Sequence, residues 1–379
     1  QARAEANGRL LLVDFTAVWC PPCNLMSAEV FDAPERPAVL ERYELVAIDV
    51  DDPSSWNIKD RYAVGGYPTV LVARADGVEL SRFVGYPDAA SFVAWMEGAS
   101  VQTAPDGEAV AVDPQSVSPA RAAEIAWKLV SQGQTEVEPW LARASAASES
   151  PALRRARVVA QPNVDDARWL ALNDPGDPLL WLPLSLGLAE EPGGREALLL
   201  AARRGLRSAS GARAADLLWV AGELSASEDG PLLYAAAAAA LRGALTGDPV
   251  LDRAHVTFLA ELEERSGEVD AALALLARYA AIFPDEPTFN LAASRVATRS
   301  GRFAEALTHA EAALAVAWGD NRLRATAAAC EALVGLGRAA EAATLARREL
   351  DSLSAPDAGL DVRTHRYREQ LATYAAPVP

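Results

Sequence analysis

Cysteine is scarce in this chain: 379 residues contain three, at positions 20, 23 and 330. Three cysteines so unevenly placed do not make a structural disulfide framework, and their number does not identify a redox compartment. Histidine is equally rare, and the first is His255. Zinc takes about four ligands, so the Cys20/Cys23 pair lacks the partners a zinc site needs and no metal is expected there. Positive charge is in deficit, with 35 Lys and Arg against 52 Asp and Glu, a formal net charge of −17. A phosphate backbone would be repelled by such a surface, which excludes nucleic-acid binding. Long apolar runs are missing too. None approaches the roughly 18 residues of a membrane span, and the alanine tract 235–240 lies inside a helical pattern. The chain opens on Gln1 and not on methionine, from which we expect a removed or trimmed leader. Glycine and proline, 24 each, are at ordinary levels and give no sign of disorder. What is present is a chain 51% hydrophobic, long enough to bury more than one core.

Two textures divide it. Up to about Gly98, β-branched runs alternate with helical stretches. Arg9–Thr16, Glu44–Asp49, Thr69–Ala73 and Val78–Val84 read as strands, several of them apolar on both faces like the inner strands of a covered sheet. Pro22–Asp32, Ser54–Tyr62 and Asp88–Glu97 read as helices, the last with Asp88 as N-cap. Alternation of this kind predicts an α/β sandwich over residues 1–98. Residues 99–118 carry turn formers and no period and are expected to be a linker. From Pro119 the composition turns to Ala, Leu, Arg and Glu with helical spacing, which predicts an all-α remainder: a helical region over 119–250 and helical repeats over 251–379.

The repeat is visible directly. GEVDAAL begins at Gly267, GRFAEAL at Gly301 and GRAAEAA at Gly337, with Ala272, Ala306 and Ala342 following at the same intervals. A turn glycine and a small residue at a helix–helix contact suit stacked helical hairpins. The spacing, near 34, resembles that of tetratricopeptide repeats, with Phe303 and Tyr279 at aromatic positions. Gly133-Gln134-Thr135 and Gly193–Leu198 in the middle region read as degenerate copies.

Chemistry concentrates in Val13–Cys23, where a strand runs into Cys20-Pro21-Pro22-Cys23 and a helix follows. Free amides and the positive end of a helix dipole favour a thiolate at the leading cysteine and lower its pKa. The second sulfur, one turn further, is placed to close a small disulfide ring. Pro21 and Pro22 donate no amide hydrogens, so the Cys23 amide and those beyond it must supply the stabilisation. Cys330, in an alanine-rich helix, reads as a buried core residue. His255, His309 and His365 are scattered on helices with no catalytic partner.

This segment resembles thioredoxin, in which W-C-x-P-C follows a V-D-F strand; here the residues are Val13-Asp14-Phe15 and Trp19–Cys23. The resemblance implies a thioredoxin fold in which Asp14 is the buried acid serving the resolving cysteine. Gly65-Gly66-Tyr67-Pro68-Thr69 matches the loop whose proline is cis, which would set Pro68 against the disulfide and offer the Tyr67 backbone to an extended substrate. Gly85 falls in the F-V-G after the last strand. With Phe31-Asp32 and Ala47-Ile48-Asp49-Val50-Asp51, the pattern is most similar to the C-terminal domains of bacterial membrane thiol–disulfide interchange proteins. One departure is that Val46-Ala47-Ile48 supplies no lysine near the acid, so Asp14 is expected to titrate differently.

The resemblance thus implies a thiol–disulfide oxidoreductase acting on protein disulfides. Cys20 is nucleophile, Cys23 resolves, Asp14 assists, and Trp19, Pro21, Pro22, Tyr67 and Pro68 meet substrate. It needs no cofactor beyond the Cys20–Cys23 disulfide. Expected partners are protein thiols, a redox partner that recycles the pair, and a protein client on the repeats, in an extracytoplasmic (periplasmic) setting. The alternatives are a thioredoxin–repeat chaperone, a non-catalytic interaction scaffold, and a cytoplasmic reductase.

Overall fold

Leu10–Thr16 (β1) is buried from Leu11 to Phe15 because it is an inner strand covered on both faces. The computed structural model describes residues 2–101, 113–131, 137–145, 149–174, 176–225, 229–360 and 362–376. A short helix, α1 (Ala2–Asn7), precedes β1. The strands β2 (Tyr43–Asp49), β3 (Thr69–Ala73) and β4 (Glu79–Val84) complete a sheet of order β2-β1-β3-β4. β1 runs parallel to β2 and antiparallel to β3, and β4 is antiparallel to β3. The four expected strands are therefore present, with ends shifted by at most one residue.

Strand alternation sorts the core into two layers. Leu12, Val70 and Val72 pack with Met26, Val30, Phe92 and Met96. Leu11, Val13, Phe15 and Leu71 pack with Cys20, Cys23 and Val50. Each such side chain contributes about 1.5–3 kcal/mol when fully buried, so the sheet holds the redox residues on a stiff base.

The expected helix Pro22–Asp32 is two pieces: α2 (Pro21–Met26), then a wider π-type turn over Ser27–Phe31. The Asp32 amide closes that turn on the Ser27 carbonyl at 2.7 Å, while the Ser27 hydroxyl donates to the Asp32 carboxylate at 2.5 Å. Helix 54–62 likewise opens as a 3-10 turn, Pro53–Ser55, capped by Asp52, before α3 (Trp56–Arg61). Asp88 accepts from the Ser91 amide at 2.7 Å at the start of α4 (Ala89–Val101), as an N-cap should. The short α1 and the 3-10 turn Ala38–Arg42 have too few residues for periodicity to reveal them. Within the expected linker, α4 extends to Val101 and Asp113 caps a 3-10 turn at Pro114–Ser116. Residues 102–112, like Gly133, Gln134 and Thr135, lie outside the described residues.

The chain divides into two units: residues 1–109, 246–264 and 268–379 in one, and 110–245 with 265–267 in the other. The second unit is helical. It comprises α5 (Pro119–Ser131), α6 (Glu138–Ala144), α7 (Pro151–Ala160), α8 (Val164–Asn173), α9 (Gly194–Gly205), α10 (Gly211–Leu224) and α11 (Gly230–Arg242). Its buried Asp166 is held by Arg154 and Arg157, and Arg155 grips Asp174 with two bonds.

The first unit joins the sheet to the C-terminal helices. These are α12 (Pro249–Arg265), α13 (Val269–Ile282), α14 (Thr288–Arg299), α15 (Phe303–Val316), α16 (Gly319–Gly335), α17 (Ala339–Ser352) and α18 (Arg363–Ala375). The sequence repeat has a physical basis here. Gly267, Gly301 and Gly337 have φ of 97°, 71° and 74°, and after each the next amide returns to a carbonyl five residues back: Glu268 to Glu263, Arg302 to Ala297 and Arg338 to Leu333, all at 2.8 Å. This is a glycine-dependent helix stop repeated three times. Ala272, Ala306 and Ala342 are buried in one continuous core, which also takes in Phe289, Cys330 and Leu371.

Candidate redox site

The backbone turns sharply before α2, where the Cys20 amide donates to the Ala17 carbonyl at 3.1 Å. Cys20 is the N-cap of α2, and Pro21 and Pro22 fill the first helical positions, where no amide is needed. The next available donor, the Cys23 amide, points at Cys20 Sγ at 3.3 Å. Cys20 and Cys23 are joined as a disulfide. Both are buried, Cys20 at 2% and Cys23 at 1% exposure.

The loop opposite has a cis Tyr67–Pro68 peptide. The Gly85 amide donates to the Pro68 carbonyl at 2.8 Å, and the Thr69 hydroxyl to the Gly66 carbonyl at 2.7 Å, which fixes the loop to β4 and to itself. Pro68 is buried, whereas Trp19, Pro21, Pro22 and Tyr67 are half-buried. The Trp19 and Tyr67 rings meet edge to face at 5.9 Å, an arrangement their quadrupoles favour. Trp19 and Tyr67 pack with Cys20 and Cys23 in one cluster.

Asp14 lies in mid β1, paired with Ala47 and Val70, and by strand alternation shares the sheet face of Leu12, which packs with Met26, Val30, Phe92 and Met96. It is 5% exposed, its Oδ1 has no hydrogen-bond partner among the described residues, and burial raises its pKa to about 7. Among the described residues no cation opposes that rise. Lys59 of α3 donates to the Val50 carbonyl.

Sequence reasoning quoted Asp51 only as part of a pattern, yet it is a hub. Its Oδ2 accepts from Trp19 Nε1 at 2.6 Å and from Asn321 Nδ2 at 3.0 Å, and Arg363 stands 3.4 Å from Oδ1. Its carbonyl accepts from the Asp320 amide at 3.0 Å. Burial raises the Asp51 pKa, opposed by the Trp19 hydrogen bond and the Arg363 charge. Beside it Asp49 accepts from Trp318 Nε1 at 2.6 Å. Arg363 lies over the faces of Trp19 and Tyr67, at 4.6 and 5.0 Å from the ring centroids, and Arg324 lies over Trp19 at 5.2 Å. Arg253 of α12 reaches Asn24, the residue after Cys23, at 2.6 Å. The signal that could have found these residues is slight: Trp318-Gly319-Asp320-Asn321 stands out only as a polar, aromatic interruption between alanine-rich helices.

Cys330 is not brought to this site. It is buried in α16, its thiol facing the Ala342 carbonyl and pushed up to about 11 by burial. His309 has a neighbour that its sequence setting did not reveal, Asn290 at 3.2 Å. Among the described residues no group of three or more His, Cys, Asp or Glu side chains could hold a metal ion, and no helix is long and apolar enough to cross a membrane.

Residues 1–100 match the family model described as a thioredoxin-like domain. Over 97 residues the chain is 35% identical to the thiol:disulfide interchange protein DsbD 2 of Pseudomonas aeruginosa, covering 24% of this chain and 16% of that protein. It is 29% identical over 83 residues to a thioredoxin H-type of Fagopyrum esculentum, covering 22% of this chain and 66% of that relative. The crystal structure of the Neisseria meningitidis DsbD C-terminal domain in the oxidised form aligns over 26% of this chain and 86% of that one, with 28% identity and a TM-score of 0.23. The chain thus spans about 16% of the length of the interchange proteins it matches.

Proposed function

We propose that the thioredoxin-like domain of residues 1–100 performs dithiol–disulfide exchange on protein disulfides through Cys20 and Cys23. In the reduced form the Cys20 thiolate attacks one sulfur of a substrate disulfide, and the other substrate sulfur leaves as a thiolate and takes up a proton. Cys23 then loses its proton and attacks Cys20 Sγ, which frees the second substrate thiol and regenerates the disulfide found here. Two electrons pass from the dithiol to the substrate, and a dithiol protein partner must restore them. Asp14, raised to about 7 by burial, is the proposed acceptor of the Cys23 proton; a carboxyl with a pKa near neutrality suits that task. Trp19, Pro21, Pro22, Tyr67 and the cis Pro68 form the proposed substrate surface. The observation that carries the reading is the Cys23 amide aimed at Cys20 Sγ at the start of α2, since that donor and the helix end both favour a Cys20 thiolate.

The names of the interchange-protein relatives support the same thiol–disulfide chemistry; the extracytoplasmic location implied by the sequence resemblance is proposed with it. The hairpins of residues 251–379 are proposed to be tetratricopeptide-like and to bind a protein client. The burial of both sulfurs favours a second reading, in which the head is a non-catalytic scaffold. Insulin-disulfide reduction separates the two. We expect turnover by the native chain, none by Cys20→Ser, and accumulation of mixed disulfides by Cys23→Ser. Turnover that persists in Cys20→Ser sinks the exchange reading.

A further inference from the structure

Between the cis-proline loop and the start of α18 lies a cleft of about 300 Å³ lined by Lys59, Val64, Gly65, Tyr67, Val362, Arg363 and Arg366. Three of those side chains are cations and none is a carboxylate, in a chain whose net charge is −17. The 13-residue helix α18 begins here at Arg363, after the N-cap Val362, with no side chain capping its first amides. An uncapped helix start gathers free N–H groups and the positive end of the dipole, which favours an anion. Lys59 is committed to the Val50 carbonyl and Arg363 to Asp51, which leaves the Arg363 Nε and Arg366. Arg363 Nε is buried without a hydrogen-bond partner. Arg366 is exposed, takes part in no ion pair among the described residues, and lies over the Tyr367 ring at 5.8 Å. Of the acids nearby, Asp51 pairs with Arg363 at 3.4 Å and accepts from Trp19 and Asn321, and Asp320 accepts from the Thr364 hydroxyl at 2.6 Å, so Arg366 is the exposed cleft cation with no carboxylate on it among the described residues.

We propose that this cleft is an anion subsite that receives a carboxylate carried next to the disulfide of the substrate. The inference rests on the exchange reading for its meaning, because Tyr67 forms a wall of the cleft and also packs in the cluster around Cys20 and Cys23. It deepens that reading by assigning a substrate class: disulfides flanked by acidic groups, in a peptide or in a small tripeptide thiol. The volume sits at the lower end for small-ligand sites, so the subsite accepts one or two side chains of an extended segment and not a folded surface. It also turns Arg363 from a cover over the Trp19 and Tyr67 rings into part of the recognition surface.

The test separates binding from turnover. The oxidised full-length chain is titrated calorimetrically with two serine-for-cysteine peptides, identical except for Glu or Gln beside the serine, and with S-methylglutathione as the small carboxylate probe. None of the three can exchange disulfides. We expect the Glu peptide to bind at least about ten-fold more tightly than the Gln peptide, with the preference lost in Arg366→Gln, partly kept in Arg366→Lys, and weakened by added salt. Arg366 is exposed and has no ion pair among the described residues, and an unchanged thermal melt shows that the variant is folded. S-methylglutathione binding with the same Arg366 dependence assigns the subsite to small thiols as well; selective binding of the Glu peptide assigns it to peptides. Equal binding of Glu and Gln peptides, or a preference that survives Arg366→Gln, overturns the subsite. A failure of insulin reduction alone removes the exchange reading and leaves this measurement standing.

Discussion

Asp14 shows what a single residue costs and offers. Its carboxyl is neutral in the folded chain at pH values where the unfolded chain has already lost the proton, because burial carries its pKa from the ordinary 3.8 to about 7. The folded state therefore binds more protons than the unfolded state between those values, so stability falls as pH rises through that window. Below about pH 4 both states are protonated and no penalty is felt. Above about pH 7 the full penalty applies, on the order of 4 kcal/mol. Asp14→Asn should flatten the stability profile between pH 4 and 7, and at pH 8 should stabilise the chain by up to that amount. Urea unfolding at pH 4.5 and pH 8 checks this, and equal effects at both would rule out the buried-acid account. The resolving step should slow in the same variant, so that stability and proton transfer pull in opposite directions at one position.

At the scale of elements, the approach of α16 to the loop after β2 depends on Gly319. Its φ is +48°, and a Cβ placed there would sit 1.9 Å from the Asp51 carbonyl oxygen, the acceptor of the Asp320 amide. Gly319→Ala therefore meets both a left-handed backbone, costing roughly 1–2 kcal/mol, and an atom that cannot move without breaking that hydrogen bond. We expect a lower thermal midpoint and faster proteolysis of the C-terminal helices. The strand-to-helix turn at α2, the π-type turn after it and the glycine helix stops are set by neighbours in sequence, and most were legible there. The π-type turn was not, since the apolar spacing of Pro22–Asp32 fits one continuous helix and only the Ser27–Asp32 bonds show otherwise.

For the molecule as a whole, Asp51 ties the redox loop to helices 270 and 312 residues away. Truncating it leaves Trp19 Nε1, Asn321 and the Arg363 charge without their acceptor. Leaving the Trp19 and Asn321 donors without an acceptor costs about 1–3 kcal/mol for each that stays buried. We expect Asp51→Ala to destabilise the chain on that order and, in the reduced protein, to raise the rate at which Cys20 is alkylated. Unchanged alkylation would mean that Arg363 and its neighbours do not control access to the sulfur. The seven residues lining the cleft come from α3, the cis-proline loop and α18, and no local pattern links them.

The sequence alone determined the sheet strands, the Cys20-Pro21-Pro22-Cys23 turn into a helix and the three glycine-stopped hairpins. Each of these is a matter of local backbone chemistry and of periodicity over a few residues. Only the tertiary structure decided that Asp14 is buried enough to titrate near neutrality, that both sulfurs are covered, and that Arg324 and Arg363 stand over the Trp19 ring. Desolvation, access and charge placement depend on which distant segments meet, and nothing in the spacing of residues 19, 51, 324 and 363 encodes that meeting.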